Sequence, residues 1–352
     1  MTDILLAKPK LGPSWIDSSV GEPYLIRDHL FDMFTWDEDV SGLDLSYPFP
    51  QGYEPLVKML EDKHQAPVII TNGAKQALGA TFYSLQKMGK VKMGMRMPYW
   101  ALIPPLAEMH GLTPVFPAED VDCHVNLTVA SFKGKFSPIG IDSYLCVAPN
   151  NPDGWMPNDI ENLALLFEDR KIPFIHDAAY YHDMYLQGTY PAKKKIGDVQ
   201  IFTFSKSLGL SGLRLGYAVV HNTEFYKHMS AYMEAMTVGV STISQRYLYN
   251  LLQSMKMDPS LGRTFEEKCF YSLLQNKKEC LNINPDVLEL PPNFTDIPGM
   301  FGWFKVGPKA DFNKAKIHFV GGKLFGADNM IRLNLAFNNI VIKDIVKRLN
   351  DL

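Results

Sequence analysis

The stretch Phe202–Val220, FTFSKSLGLSGLRLGYAVV, sets one lysine at the mouth of an apolar run. Val199, Ile201, Phe202 and Phe204 read as a buried strand, and Leu213 to Val220 reads as a second one beyond a Ser/Gly-rich loop. Burying an ammonium is costly unless it is paired or has lost its charge. Lys206 therefore reads as an amine that has shed its proton, the form in which a lysine acts as a nucleophile. Four further groups follow other apolar runs. TNGAKQ, after residues 66–70, is a glycine turn opening a helix, where backbone N–H groups can cradle an anion. RMPYW places aromatic rings after residues 91–95, and APNNPDG places an amide after 143–148. Asp177 ends PFIHDA with a carboxylate where burial on both faces is expected, and no adjacent cation relieves it. Each has a plainer reading alone: a strand-to-helix turn, core aromatics, or ordinary turn formers.

The elements that must position these groups alternate along the chain. APVII (66–70), VKMGM (91–95), LTPVF (112–116), SYLCVA (143–148), PFIHDA (173–178) and VQIFTF (199–204) read as strands. Residues 73–88, GAKQALGATFYSLQKM, carry apolar positions at helical spacing. Such alternation predicts an α/β fold with a mostly parallel sheet flanked by helices, whose chemistry collects beyond the carboxyl ends of the strands. With 352 residues, 46% of them hydrophobic, the chain can bury a large core and divide into a main and a smaller domain. A net charge of −3 gives no sign of a nucleic-acid or membrane-surface partner. The basic cluster Lys193–Lys195 reads as a solvated loop. Cys123, Cys146, Cys269 and Cys280 are scattered without a CxxC pair, which fits a reducing cytosol rather than a zinc site or disulfide scaffold. The N-terminal MTDILLAKPKLGPSW has too short an apolar stretch for a secretory core, and no run reaches membrane-spanning length. A cytoplasmic protein is expected.

An imine-forming lysine, a carboxylate for a pyridinium nitrogen and a phosphate cradle together describe pyridoxal 5'-phosphate. At these residues the chain resembles the fold-type-I class I/II aminotransferases. The resemblance runs from VGEP (20–23) to IRLNLAF (331–337) and rests on APNNPDG, HDAAYY and FSKSLGLSGLRLGY in the family's order. It implies a mostly parallel seven-stranded sheet plus a smaller α+β domain. The expected large domain covers residues 40–245, with 1–39 and 246–352 forming the small one.

The resemblance also assigns roles. Lys206 is similar to the Schiff-base lysine, and Asp177 to the residue that keeps the ring nitrogen protonated. Tyr180 and Asn151 match groups that bond the ring's phenolate oxygen, with Ala179 under one ring face and Trp100 on the other. Gly73, Ala74 and Lys75 amides, the Thr203 and Ser205 hydroxyls and Arg214 would hold the phosphate. Tyr47, in YPFPQG, would reach the phosphate of a neighbouring subunit. Together with the segment near Ser241–Gln245, it implies a homodimer. Arg332 matches the clamp for the substrate α-carboxylate, and Gly21 lays backbone beside it.

The implied activity moves an amino group from an L-amino acid to a 2-oxo acid by ping-pong chemistry. A lyase or decarboxylase using the same cofactor is the alternative. A transcription regulator with an aminotransferase-like sensor would need a preceding DNA-binding domain, for which VGEP at residue 20 leaves no room. A nicotinamide dehydrogenase would need a GxGxxG turn after the first strand. Asp153 stands where Thr or Ser is frequent and is expected only to shape its turn; Arg246 reads as structural.

Overall fold

Strands as short and uniformly apolar as VIIT, FIHD and VQIFT are stable only where both faces are covered, and that is how they lie. The computed structural model describes residues 11–36, 39, 42, 46–116, 140–157, 159–186, 195–257 and 259–352. Residues 1–10, Cys123, Lys193 and Lys194 lie outside them, and with them those parts of the sequence reading. In chain order the strands are β1 (Ile16–Asp17), β2 (Val68–Thr71), β3 (Lys92–Met95), β4 (Thr113–Val115), β5 (Ser143–Val147), β6 (Phe174–Asp177) and β7 (Val199–Thr203). They continue with β8 (Gly216–Val220), β9 (Leu288–Glu289), β10 (Phe301–Val306), β11 (Ile317–His318), β12 (Val320–Gly321) and β13 (Met330–Asn334).

Among the described residues, the main sheet has seven strands in the order β2-β8-β7-β6-β5-β3-β4. Only β8 runs antiparallel to its neighbours, so β2, β3, β5, β6 and β7 all end at one edge. The helix Ala74–Lys87 buries Ala77, Leu78, Phe82 and Leu85. A fully buried Phe82 contributes about 2 to 3 kcal/mol of transfer free energy. A second sheet, β12-β13-β10-β9, is antiparallel, and β1 pairs in parallel with β11, tying the N-terminal arm to the C-terminal part. In that sheet Trp303 faces Arg332 across the ladder, so both side chains and Phe301 share one face. The helix Thr242–Met257 crosses the expected domain boundary at residue 245.

Most strand boundaries shift by one or two residues from the sequence reading, and two of the differences bear on the site. β7 stops at Thr203, because the Thr203 hydroxyl accepts from the Ser205 amide at 3.2 Å and caps a short helix, Phe204–Ser207. Phe204 is therefore helical. β8 begins at Gly216 rather than Leu213; Ser211–Leu213 form a 3₁₀ turn, and Arg214 takes left-handed backbone (φ 54°).

Gly216 lets β8 pass close under the turn that opens Ala74–Lys87. A Cβ there would lie 2.7 Å from the Phe202 carbonyl oxygen and 2.9 Å from the Ala74 nitrogen, both backbone atoms that cannot swing aside. Gly216→Ala should lower stability by about 2 kcal/mol, read as a drop in urea midpoint with an unchanged slope.

Candidate active site

The five groups picked out by sequence all lie at the carboxyl edge of the main sheet. The short helix after β7 carries Lys206, whose ammonium nitrogen donates to the Gly21 carbonyl of the N-terminal arm. The approach is close: a Cβ at Gly21 would come 3.1 Å from the Phe301 ring, which would have to shift slightly, and 3.5 Å from Lys206 Nζ, an ordinary contact. Burial brings Lys206 down to about 8, assisted by Arg332 and Arg214 and opposed by Glu22. The Tyr185 hydroxyl donates to the Lys206 carbonyl at 2.9 Å and so fixes the turn from behind.

Asp177 ends β6 with its carboxylate buried. Its Oδ1 accepts from the Ala179 amide at 3.1 Å, yet burial still pushes it up to about 6. Tyr180 is buried beside it and hydrogen-bonded to Asn151; burial raises the phenol, while Arg332 and that hydrogen bond oppose the rise. Asn151 Oδ1 in turn accepts from Arg332 Nη1 at 2.8 Å, and Arg332 Nη2 donates to the Ser19 carbonyl at 2.7 Å. The guanidinium lies 4.3 Å from the Phe301 ring centre, and burial brings Arg332 down to about 10. Its buried Nε has no hydrogen-bond partner among the described residues. An orphaned guanidinium donor is costly, and a carboxylate would relieve it.

A second cluster lies at the end of β2. Gly73 takes φ 75° and donates its own amide to the Thr71 carbonyl at 2.7 Å. The first-turn amides of Ala74 and Lys75 are the ones a helix leaves without internal acceptors. Arg214 lies against this turn, with Nη2 3.1 Å from where a Gly73 Cβ would be. The Lys75 ammonium sits 5.7 Å from the Trp100 ring centre, and burial plus Arg214 lower its affinity for protons. Neither cation has an ion-pair partner among the described residues. Thr203 and Ser205, both buried, border the same edge. Ala179 follows the end of β6 by two residues and is largely buried, whereas Tyr47 is 87% exposed.

The arrangement can thus receive an anion at Lys75 and Arg214, a cationic ring nitrogen at Asp177, an electrophilic carbon at Lys206 and a carboxylate at Arg332. These residues fit pyridoxal phosphate. The sequence reading missed four contacts: Tyr185 on Lys206, Glu22 accepting from Ser211 at 2.9 and 2.8 Å, Phe301 beneath Arg332, and an Arg96–Asp153 ion pair at 2.7 Å. Opposite charges closing neighbouring apolar runs were the available signal for that pair. As read from sequence, His176 is a strand residue, bonded to the Ala148 carbonyl at 3.0 Å, and Arg246 is structural, donating to the Tyr53 hydroxyl at 2.8 Å. Cys146, Cys269 and Cys280 are buried and free. Among the described residues no group of His, Cys, Asp and Glu could hold a metal, and no helix is long and apolar enough to cross a membrane.

In the ligand-free protein Asp177 titrates above its unfolded value of 3.8. Its contribution to stability is present below that value and is lost as pH rises through about 6. Urea midpoints of the ligand-free wild type, measured from pH 4 to 7, should fall with pH relative to those of Asp177→Asn.

The model of a family described as Allinase matches residues 61–284. Tryptophan aminotransferase-related protein 2 of Arabidopsis thaliana is 38% identical over 109 residues, 31% of this chain and 23% of that protein. Tryptophan aminotransferase-related protein 4 of the same plant is 24% identical over 297 residues, 76% of this chain and 59% of that one. The chain therefore spans less than two thirds of the length of these curated relatives. The crystal structure of aspartate aminotransferase from Thermus thermophilus with maleate superposes with a TM-score of 0.79 at 18% identity, covering 96% of this chain and 91% of that one. With Lys206 and Asp177 on this sheet edge and Arg332 reaching Asn151 from β13, the chain belongs to the Allinase family and has the fold-type-I architecture of the pyridoxal-phosphate-dependent class I/II aminotransferases.

Proposed function

We propose that this protein is a pyridoxal-phosphate-dependent aminotransferase that moves the amino group of an L-amino acid to a 2-oxo acid. One observation carries the reading: a lysine brought down to about 8, a buried carboxylate pushed up to about 6 and an arginine with an orphaned donor converge on one sheet edge. When bound, the cofactor supplies a carbonyl carbon for an amine and a ring that accepts electrons.

The chain's own residues do the rest. Lys206 would hold the cofactor through Nζ, and its neutral amine would take the proton from the substrate Cα. A value near 8 keeps a useful fraction of that amine neutral at physiological pH. Asp177 holds the ring nitrogen's proton by opposing it with a desolvated negative charge. Asn151 and Tyr180 would donate to the ring oxygen, and Ala179 and Trp100 would cover the two ring faces. The Ala74 and Lys75 amides at the Gly73 turn, the Ser205 hydroxyl and Arg214 would hold the phosphate, whereas the Thr203 hydroxyl accepts from the Ser205 amide and donates to the Leu215 carbonyl at 3.3 Å, a correction to the role expected of it. Arg332 binds the substrate carboxylate beside the backbone of Gly21.

A homodimer fits the exposed apolar surface formed by Tyr47 and Phe49, 87% and 71% exposed, with Met236 and Ile243. Pro48 and Phe49 pack against Gly239, which joins these segments into one surface. Tyr47 would then serve the partner's phosphate site. The large domain comprises residues 40–245 and the small one 1–39 with 246–352, sharing the helix Thr242–Met257. A reducing, cytoplasmic setting suits the free cysteines.

Visible absorbance tests the function. The protein with pyridoxal phosphate should show a yellow band that fades on adding the right L-amino acid, with a 2-oxo acid released in equal amount and no ammonia. Pyruvate with ammonia would identify a lyase instead. Lys206→Ala should abolish the lysine-dependent band. Arg332→Leu should lower kcat/KM by about 100-fold, the loss expected for a two-donor carboxylate clamp. The rate at which Lys206 captures the cofactor should rise with pH through about 8, not 10.5.

A further inference from the structure

We infer that the buried Arg96–Asp153 ion pair is a positioning device for the active site: it locks the loop after β3 to the turn after β5 and thereby sets Asn151 and Arg332. The roles of those two residues rest on the proposed function.

β3 and β5 are neighbours in the sheet, paired in parallel from Met93↔Ser143 to Met95↔Leu145. Arg96 is the first residue past β3, and Asp153 sits in the turn past β5. Arg96 Nη1 donates to Asp153 Oδ2 at 2.7 Å, with the side chains only 13% and 2% exposed. Asp153 Oδ1 accepts from Asn150 Nδ2 at 2.7 Å and from the Trp155 amide at 3.1 Å. The Asn150 amide group also donates to the Pro98 carbonyl at 2.9 Å, reaching back to the loop that carries Trp100. The Arg96 guanidinium lies 4.7 Å from the Trp155 ring centre, so the cation is held on a second side.

Asn151 lies inside this closed turn, between Asn150 and Asp153. Its amide oxygen accepts from Arg332 at 2.8 Å, and its side chain bonds Tyr180. The chain of contacts runs Arg96, Asp153, Asn150 and the turn, Asn151, Arg332. A hydroxyl in place of Asp153 could cap the turn but would bring no counter-charge to the Arg96 guanidinium at the next strand end. Removing either partner leaves the other as an uncompensated buried charge, and the turn must move to hydrate it. Asp153 therefore does more than shape its turn.

The experiment is a double-mutant cycle on the cofactor-free protein, reading the affinity of 3-phenylpropionate by calorimetry as a probe of Arg332, with KM and kcat of the loaded enzyme as a second readout. Asp153→Asn should weaken the carboxylate by about tenfold in the wild-type background, on the scale of one charge-assisted hydrogen bond. KM should rise by a similar factor with kcat changed far less. In an Asn151→Ala background the same substitution should cost less than about twofold, because the residue it acts through is gone. Should Asp153→Asn fail to fold, Arg96→Lys, which keeps the charge and shortens the reach, carries the same expectation at smaller amplitude. Equal losses in both backgrounds, or unchanged affinity in a folded variant, would overturn the positioning role. A wild-type chain that binds neither pyridoxal phosphate nor the carboxylate overturns the reading of the site, and this inference with it.

Discussion

Asp177 closes a strand of which every residue is buried, and the desolvation of its carboxylate sets the terms for everything around it. A buried carboxylate that accepts from a single backbone amide of its own loop, Ala179, remains short of compensation, which is why it is pushed up to about 6. The same desolvation acts on the amine of Lys206 in the opposite direction, bringing it down to about 8. One dry sheet edge thus yields a weak acid and a weak base from residues that in water would be a full anion and a full cation. Neither is neutralised by the other, so both remain available to a ligand that brings a cationic nitrogen and an electrophilic carbon.

The parallel sheet supplies the edge, and the second sheet supplies its cover. Arg332 comes from β13 and carries the N-terminal arm with it, through the Ser19 carbonyl. Asn334 on the same strand donates to the Val20 and Glu22 carbonyls at 2.9 and 2.8 Å, so the arm is strapped across the site by side-chain amides. Glu22 is then anchored to Ser211, just before the left-handed Arg214. Lys206, Arg332 and Arg214 are tied to one short arm from three directions. Its glycine at position 21 is the point where backbone, lysine and the Phe301 ring meet.

Much of this was legible in the chain. The strands announced themselves because continuous apolar runs such as VIIT and VQIFT admit few other readings, and Asp177 and Lys206 were visible because they end such runs. Strand ends were less legible. The stop at Thr203 depends on a side-chain cap within two residues, and the delayed start of β8 depends on Arg214 adopting backbone that residue types seldom reveal. Contacts across long sequence separations were not legible at all. Arg332 with Asn151, and Tyr185 with Lys206, are set by how separate elements pack, and local pattern carries no record of that. Arg96 and Asp153 sit between these cases: each charge was conspicuous, but only the pairing of β3 with β5 makes them partners.

On the proposed function, Asp177 awaits a cation which the cofactor's ring nitrogen supplies. Nitrogen NMR of the protein loaded with pyridoxal phosphate labelled with ¹⁵N in the ring tests this directly. The wild type should show a protonated pyridinium signal across pH 6 to 9, and Asp177→Ala a neutral pyridine signal. A neutral ring nitrogen in the wild type, or a pyridinium that survives the loss of Asp177, would contradict it.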